Sequence, residues 1–169
     1  MQTLVTNRRP MHPGKAAPGT RVRTLVVDDS PMMLKILAQI LEQAGNFDLV
    51  GSATDGYQAL RYMSELSPDL VLMDFHMPQL NGIQATNYIK HRECPPRVII
   101  VTSDDSAVTK SMAEKAGADG LVVKQGDLRL RLMGALQKLF GPGGLRRRIS
   151  GGVSCATPPA VPAKRDHPL

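Results

Sequence analysis

Four apolar runs in this 169-residue chain finish in residues able to do chemistry. Val71-Leu72-Met73 delivers Asp74, and Thr24-Leu25-Val26-Val27 delivers Asp28 and Asp29. Val98-Ile99-Ile100-Val101 ends in Thr102-Ser103, and Leu121-Val122-Val123 ends in Lys124. If these runs are neighbouring parallel strands, three carboxylates, a hydroxyl and an ammonium group meet on one rim. Converging carboxylates repel and cannot all ionise without raised pKa values or a cation. Hard oxygen ligands in a partly hydrated cleft suit Mg²⁺, which uses few carboxylates and keeps several waters. A carboxylate nucleophile beside a divalent ion, a lysine and a hydroxyl donor suits phosphoryl transfer to Asp74, giving an aspartyl phosphate. The ion and Lys124 would neutralise the equatorial oxygens, and positioning would supply the rest.

The segments between the runs carry helical signals. Ser30-Pro31 reads as an N-cap followed by proline at the first helical position. Met33, Leu37, Ile40, Leu41 and Ala44 follow at helical spacing, and Gly45-Asn46 ends that helix. Leu49-Val50-Gly51-Ser52-Ala53 is a short strand ending in Thr54, and Asp55-Gly56 opens a helix whose apolar face is Tyr57, Leu60 and Met63. Gly82 begins a weaker helix with Ile83 and Ile89, stopped by Pro95-Pro96. Ser106 begins another, with Val108, Met112, Ala113 and Ala116 expected to face inward and Gly117 closing it. The last, over residues 127–140, buries Leu132, Leu136, Leu139 and Phe140. Strand and helix thus alternate five times, which predicts an α/β fold: one doubly wound sheet of five parallel strands with helices on both faces.

Taken together, Val27-Asp28-Asp29-Ser30, Val71-Leu72-Met73-Asp74 with Met77-Pro78 and Gly82, Val101-Thr102-Ser103 and Val123-Lys124 resemble the receiver domain of two-component response regulators. The resemblance covers about residues 22–140 and implies the flavodoxin-like strand order 2-1-3-4-5. It also implies that Asp74 accepts a phosphoryl group from a phosphohistidine on a sensor histidine kinase or a phosphotransfer protein. By the same resemblance Asp29 and Asp74 ligate Mg²⁺ directly, Asp28 acts largely through water, and the backbone carbonyl of His76 contributes. Thr102 and Lys124 would contact the phosphoryl oxygens, and the side chains of His76 and Asp104 would border the approach of water and tune the lifetime of the adduct. The family's own catalysis of its phosphorylation and slow hydrolysis makes it something other than a conventional enzyme. Two positions depart from the family pattern. Leu121 stands where Tyr or Phe is usual, and Gln125 replaces the proline that often follows the lysine, so the Lys124–Gln125 bond is expected to be trans, or else cis under strain.

Charge divides unevenly. The net of +6 conceals an acidic middle: residues 24–140 hold 11 Lys or Arg against 14 Asp or Glu, and the basic excess lies in the flanks. Residues 1–21 read as a disordered N-terminal extension, 22–141 as the receiver domain, and 142–169 as a disordered basic tail or linker rich in Pro and Gly. Arg146-Arg147-Arg148 reads as solvated linker charge in preference to a nucleic-acid site, although basic flanks can bind phosphate backbones without sequence preference. Cys94 and Cys155 match no metal-ligand spacing and are expected as reduced thiols. With no apolar stretch of membrane-spanning length and no signal-peptide pattern, the reading is a cytoplasmic protein; the resemblance to receiver domains adds chemotaxis to what is expected. The downstream target is not readable. A second reading is the receiver portion of a larger effector, a methylesterase or a DNA-binding regulator, without its output domain. A small-molecule phosphohydrolase would need a second aspartate two residues after the nucleophile, where His76 stands. An inert pseudo-receiver, raised by Leu121 alone, is opposed by the complete set of acids, threonine and lysine.

Overall fold

The computed structural model describes residues 21–141. Five strands and five helices alternate: β1 (Val22–Val27), α1 (Pro31–Ala44), β2 (Phe47–Ala53), α2 (Gly56–Leu66), β3 (Leu70–Asp74), α3 (Gly82–Lys90), β4 (Arg97–Thr102), α4 (Ala107–Lys115), β5 (Gly120–Val123) and α5 (Leu128–Phe140). All neighbouring strands are parallel and lie in the order β2-β1-β3-β4-β5. Every residue of β3 is buried, as the unbroken apolar run requires of a central strand covered on both faces.

Alternate side chains of each strand enter opposite cores. Leu25, Val27, Val71, Met73, Val98 and Ile100 pack with Leu60, Met63, Ala85, Ile89 and Ala113 from α2, α3 and α4. Val26, Leu70, Leu72, Ile99, Val101 and Val122 pack with Leu37, Ile40, Leu41, Leu132 and Leu136 from α1 and α5. The caps explain the helix boundaries. Ser30, Asp55, Asn81, Ser106 and Asp127 each accept a backbone N–H of the following first turn, and Gly45 ends α1 in the left-handed region at φ 75°. At the amino edge of the sheet, Asp119 takes bonds from Lys90 Nζ, from Arg97 Nη1 at 2.6 Å and from the Val98 N–H at 2.9 Å, joining α3 to β4 and β5.

Four details differ from the sequence-based expectation. Strand β2 begins two residues earlier, at Phe47, because that ring is buried and meets Phe140 edge-on at 5.7 Å. On α4 the buried stripe is Thr109, Ala113 and Ala116, whereas Val108 and Met112 are 68% and 41% exposed. Both stripes have helical spacing; the helix turns its small residues to the sheet, and the Thr109 hydroxyl finds a partner in Asp104. Leu139 and Phe140 are only half-buried, at the end of α5. Cys94 is disulfide-bonded and not a reduced thiol, an expectation that rests on compartment alone. No cis peptide bond occurs among the described residues, so Lys124–Gln125 is trans. The predicted N-terminal extension and basic tail lie outside the described residues, save Arg21.

Candidate functional site

Parallel pairing brings the strand ends level. Asp74 stands opposite Val101 on β4, and Thr102 opposite Val123 on β5, so that Lys124 comes one step beyond. The Asp28 N–H donates to Ala53 O at 3.0 Å and the Lys124 N–H to Thr102 O at 2.7 Å, extending the ladder to the site residues. Gly82 permits the sharp exit from β3. Its N–H donates to Phe75 O at 3.1 Å, and a Cβ there would lie 1.8 Å from Asp74 O, a distance no side chain could occupy.

Three carboxylates gather at this edge. Asp28, Asp29 and Asp74 each offer an oxygen within 4.8 Å of the others. Asp28 and Asp74 are 1% and 4% exposed, whereas Asp29 is open to solvent. Lys124 Nζ lies between the buried pair, donating to Asp28 Oδ2 at 2.7 Å and to Asp74 Oδ1 at 2.8 Å. The other oxygen of Asp28 accepts the Ser30 N–H at 2.9 Å, which ties it to the start of α1. Burial pushes the Asp74 carboxyl above its ordinary value; Lys124 pulls it down, and Asp28 and Asp29 add to the rise. Burial pulls the Lys124 ammonium down, but its bonds to Asp28 and Asp74 outweigh this and hold it above the usual lysine value. Among the described residues, the site holds more acid than its one lysine balances. All three donors are hard oxygens, the chemistry of a Mg²⁺ site.

Thr102 is fully buried, and its hydroxyl accepts the Asp104 N–H at 3.1 Å. His76 is exposed two residues beyond Asp74, its ring edge-on to Phe75 at 4.6 Å. Asp104 is engaged at the beginning of α4. It accepts from Thr109 Oγ1 at 2.5 Å and from Ser106 N and Oγ at 2.9 Å. These bonds, the Thr109 hydroxyl first, hold its carboxyl below the ordinary value, with a smaller contribution from His76. Leu121 is half-buried against the core under α2 to α4.

The structure therefore brings together Asp28, Asp29, Asp74 and Lys124, with Thr102 ending the adjacent strand and His76 on the adjoining loop. Sequence reasoning missed the Asp104–Ser106–Thr109 network and the capping box of Asn81 with Gln84. The second carried a legible signal, a cap residue followed three positions later by Gln.

Such a sheet, with acids and a lysine collected at its carboxyl edge, defines the class: a doubly wound, flavodoxin-like domain with its ligand edge at the carboxyl ends of the strands. Comparison with known proteins makes the particular assignment. The family described as "Response regulator receiver domain" matches residues 24–139, and the chain belongs to that family. The Chemotaxis protein CheY of Halobacterium salinarum is 39% identical over 102 residues, covering 60% of this chain and 83% of that protein. A protein-glutamate methylesterase/protein-glutamine glutaminase of Thermotoga maritima is 37% identical over 112 residues, covering 64% of this chain. The chain spans 32% to 40% of the length of three such methylesterases that it matches. Among solved structures, the response regulator domain of Thermotoga maritima CheB matches with a TM-score of 0.62 at 34% identity, over 70% of this chain and 92% of that one. A chain of the CheX–CheY–BeF3–Mg complex from Borrelia burgdorferi matches with a TM-score of 0.66 at 27% identity, over 72% of this chain and 91% of that one. The chain is thus a response regulator receiver of the two-component kind, with relatives in chemotaxis. Among the described residues no helix is long and apolar enough to cross a membrane.

Proposed function

We propose that Asp74 is the phosphoryl acceptor of this receiver, and that the phosphorylated form signals by binding a protein partner. The observation that carries the reading is the position of Lys124 Nζ, within 2.8 Å of oxygens on both Asp28 and Asp74, while Asp29 completes an acid cluster spanning 4.8 Å. An Asp74 oxygen attacks the phosphorus of a phosphohistidine on a sensor kinase or phosphotransfer protein. The new O–P bond forms as the N–P bond breaks, and the imidazole leaves. Asp28, Asp29, Asp74 and the His76 carbonyl would hold Mg²⁺, which when bound supplies charge neutralisation at the transferring group. Lys124 stays close to Asp74 and meets the negative charge that gathers on the phosphoryl oxygens. The Thr102 hydroxyl donates its proton to one of those oxygens while still accepting the Asp104 N–H. Burial of Asp28 and Asp74 lowers the local dielectric and strengthens each of these contacts. Water later attacks the aspartyl phosphate and releases inorganic phosphate, and the His76 side chain borders that approach. The protein acts in the cytoplasm, where its kinase presents phosphohistidine.

A second reading has its own support. The chain covers about a third of the methylesterase of Thermotoga maritima that it matches, so it also fits the receiver portion of a larger effector, which would carry the output itself. Incubation with acetyl phosphate and Mg²⁺ tests the site. One phosphoryl group should be added, and Asp74→Asn should abolish the addition; undiminished labelling of that variant would refute the assignment.

A further inference from the structure

The loop from β3 to α3 carries His76, and its conformation is imposed by its surroundings. The bond from Gly82 N to Phe75 O closes its base, and Gln79 turns it through the left-handed region at φ 66°. Met77 and Leu80 anchor it, both buried in the core beneath α2 and α3. Against Leu80 stands Gly56, the first residue of α2. A Cβ at Gly56 would lie 2.5 Å from Leu80 O, 2.9 Å from Leu80 Cγ and 3.0 Å from Leu80 Cβ. The nearest of these is a backbone atom, which cannot rotate aside as the end of a flexible side chain does. Nor can α2 yield readily. Asp55 Oδ1 accepts the Gln58 N–H at 2.8 Å, and Gln58 Oε1 accepts the Thr54 N–H at 2.8 Å, fixing the helix start to the end of β2.

We infer that Gly56 is a positioning residue for the divalent-ion site: its missing side chain lets Leu80 seat against α2, which sets where the loop presents the His76 carbonyl. The inference rests on the reading of Asp28, Asp29, Asp74 and His76 as Mg²⁺ ligands. Mg²⁺ demands near-ideal octahedral geometry at about 2.0–2.1 Å, whereas Ca²⁺ accepts irregular shells at about 2.3–2.6 Å. A methyl group at position 56 moves the Leu80 backbone by several tenths of an ångström, since 2.5 Å must open beyond 3.0 Å. A shift of that size passes along a loop anchored at both ends and spoils a Mg²⁺ shell more than a Ca²⁺ shell.

The test is calorimetric titration of the full chain with Mg²⁺ and, separately, with Ca²⁺, with folding checked by circular dichroism. Gly56→Ala should weaken Mg²⁺ binding about tenfold, as loss of support behind a ligand commonly does, and Ca²⁺ binding distinctly less. Leu80→Ala, which frees the same anchor without a clash, should show the same loss of preference and decides the matter if Gly56→Ala does not fold. Wild-type Mg²⁺ affinity in both folded variants overturns the inference, and so does equal weakening toward both ions. A wild-type protein that binds neither ion refutes the metal reading itself, and the role of Gly56 with it.

Discussion

Replacing Lys124 with methionine removes the ammonium while keeping most of the side chain's volume, and the geometry around it fixes the size of the effect. Two nearly inaccessible carboxylates, on Asp28 and Asp74, lose bonds of 2.7 and 2.8 Å to the one lysine between them. The lysine side chain is 14% exposed, so solvent offsets little of the loss. Breaking a buried pair by deleting one partner costs about 3–5 kcal/mol, because the remaining charge stays uncompensated. Urea denaturation in the presence of a chelator at pH 7 should show Lys124→Met less stable than wild type by that amount. Two substitutes for the ammonium should narrow the gap. Mg²⁺ binds the same acids in both proteins but tighter where the lysine no longer competes, and each tenfold gain in the variant's affinity narrows the gap by about 1.4 kcal/mol. A proton on Asp74 does similar work. The folded-state pKa of Asp74 already lies above its ordinary value, chiefly through burial. Its contribution is therefore present below the unfolded pKa and lost as pH rises through the folded one. Without Lys124 the folded pKa rises further, and stability should fall more steeply with pH. A gap below about 1 kcal/mol, the range of an exposed pair, or a full gap unaffected by Mg²⁺ and acid, would refute this account of the site's electrostatics.

Four other substitutions probe the fold. Gly82→Ala places a Cβ where Asp74 O stands, and chemical denaturation should show a loss of about 3 kcal/mol or more, at the upper end of overpacking costs. The inner face of α4 is tested by comparing Val108→Asp, expected within about 0.5 kcal/mol of wild type, with Ala113→Leu, expected to cost about 1–3 kcal/mol; the reverse order would show the face misassigned. Burial pushes the Asp119 carboxyl up, but bonds from Lys90, Val98 N–H and Arg97 outweigh it and leave the group below its ordinary value. That stabilisation is present above the unfolded pKa and lost as pH falls through the folded one. Asp119→Asn should therefore cost about 3–5 kcal/mol at pH 7 and flatten the acid limb of the stability curve, which urea titrations between pH 2 and 7 would record.

How far the sequence discloses this molecule depends on which kind of signal each part carries. Strand β3 is legible because both its faces are covered, so its apolar run is unbroken from Leu70 to Met73 and its acid stands out at the end. The helix starts at Ser30, Asp55, Ser106 and Asp127 are legible for a similar reason, since short polar side chains before helical runs have a local purpose. The face of α4 is not. Val108–Met112 and Thr109–Ala113 are stripes one residue apart, and hydropathy favours the first. Close packing of small residues, and the partner that Asp104 offers Thr109, make the choice. Phe47 escapes assignment to β2 because its reason for burial, the Phe140 ring, lies at the far end of the domain. In the site, strand-end positions locate Asp28, Asp29, Asp74, Thr102 and Lys124, since parallel strands with right-handed crossovers put their carboxyl ends on one edge. Which acids the lysine bridges is not readable. That is decided by register, and register is a property of the paired sheet. The engagement of Asp104 by Ser106 and Thr109, and the seating of Leu80 on Gly56, depend likewise on distances between loops that no spacing pattern records.

Central to this reading of the site is that the acid cluster holds a cation which enables Asp74 to capture a phosphoryl group. Intact-protein mass spectrometry after exposure to a small phosphodonor, in parallel samples with Mg²⁺ and with a chelator, tests it most directly, with peptide mapping to locate the modification. One added phosphoryl group, on Asp74, is expected in the Mg²⁺ sample and essentially none in the chelated one. Equal labelling in both samples, or a modification mapped to any other residue, would contradict it.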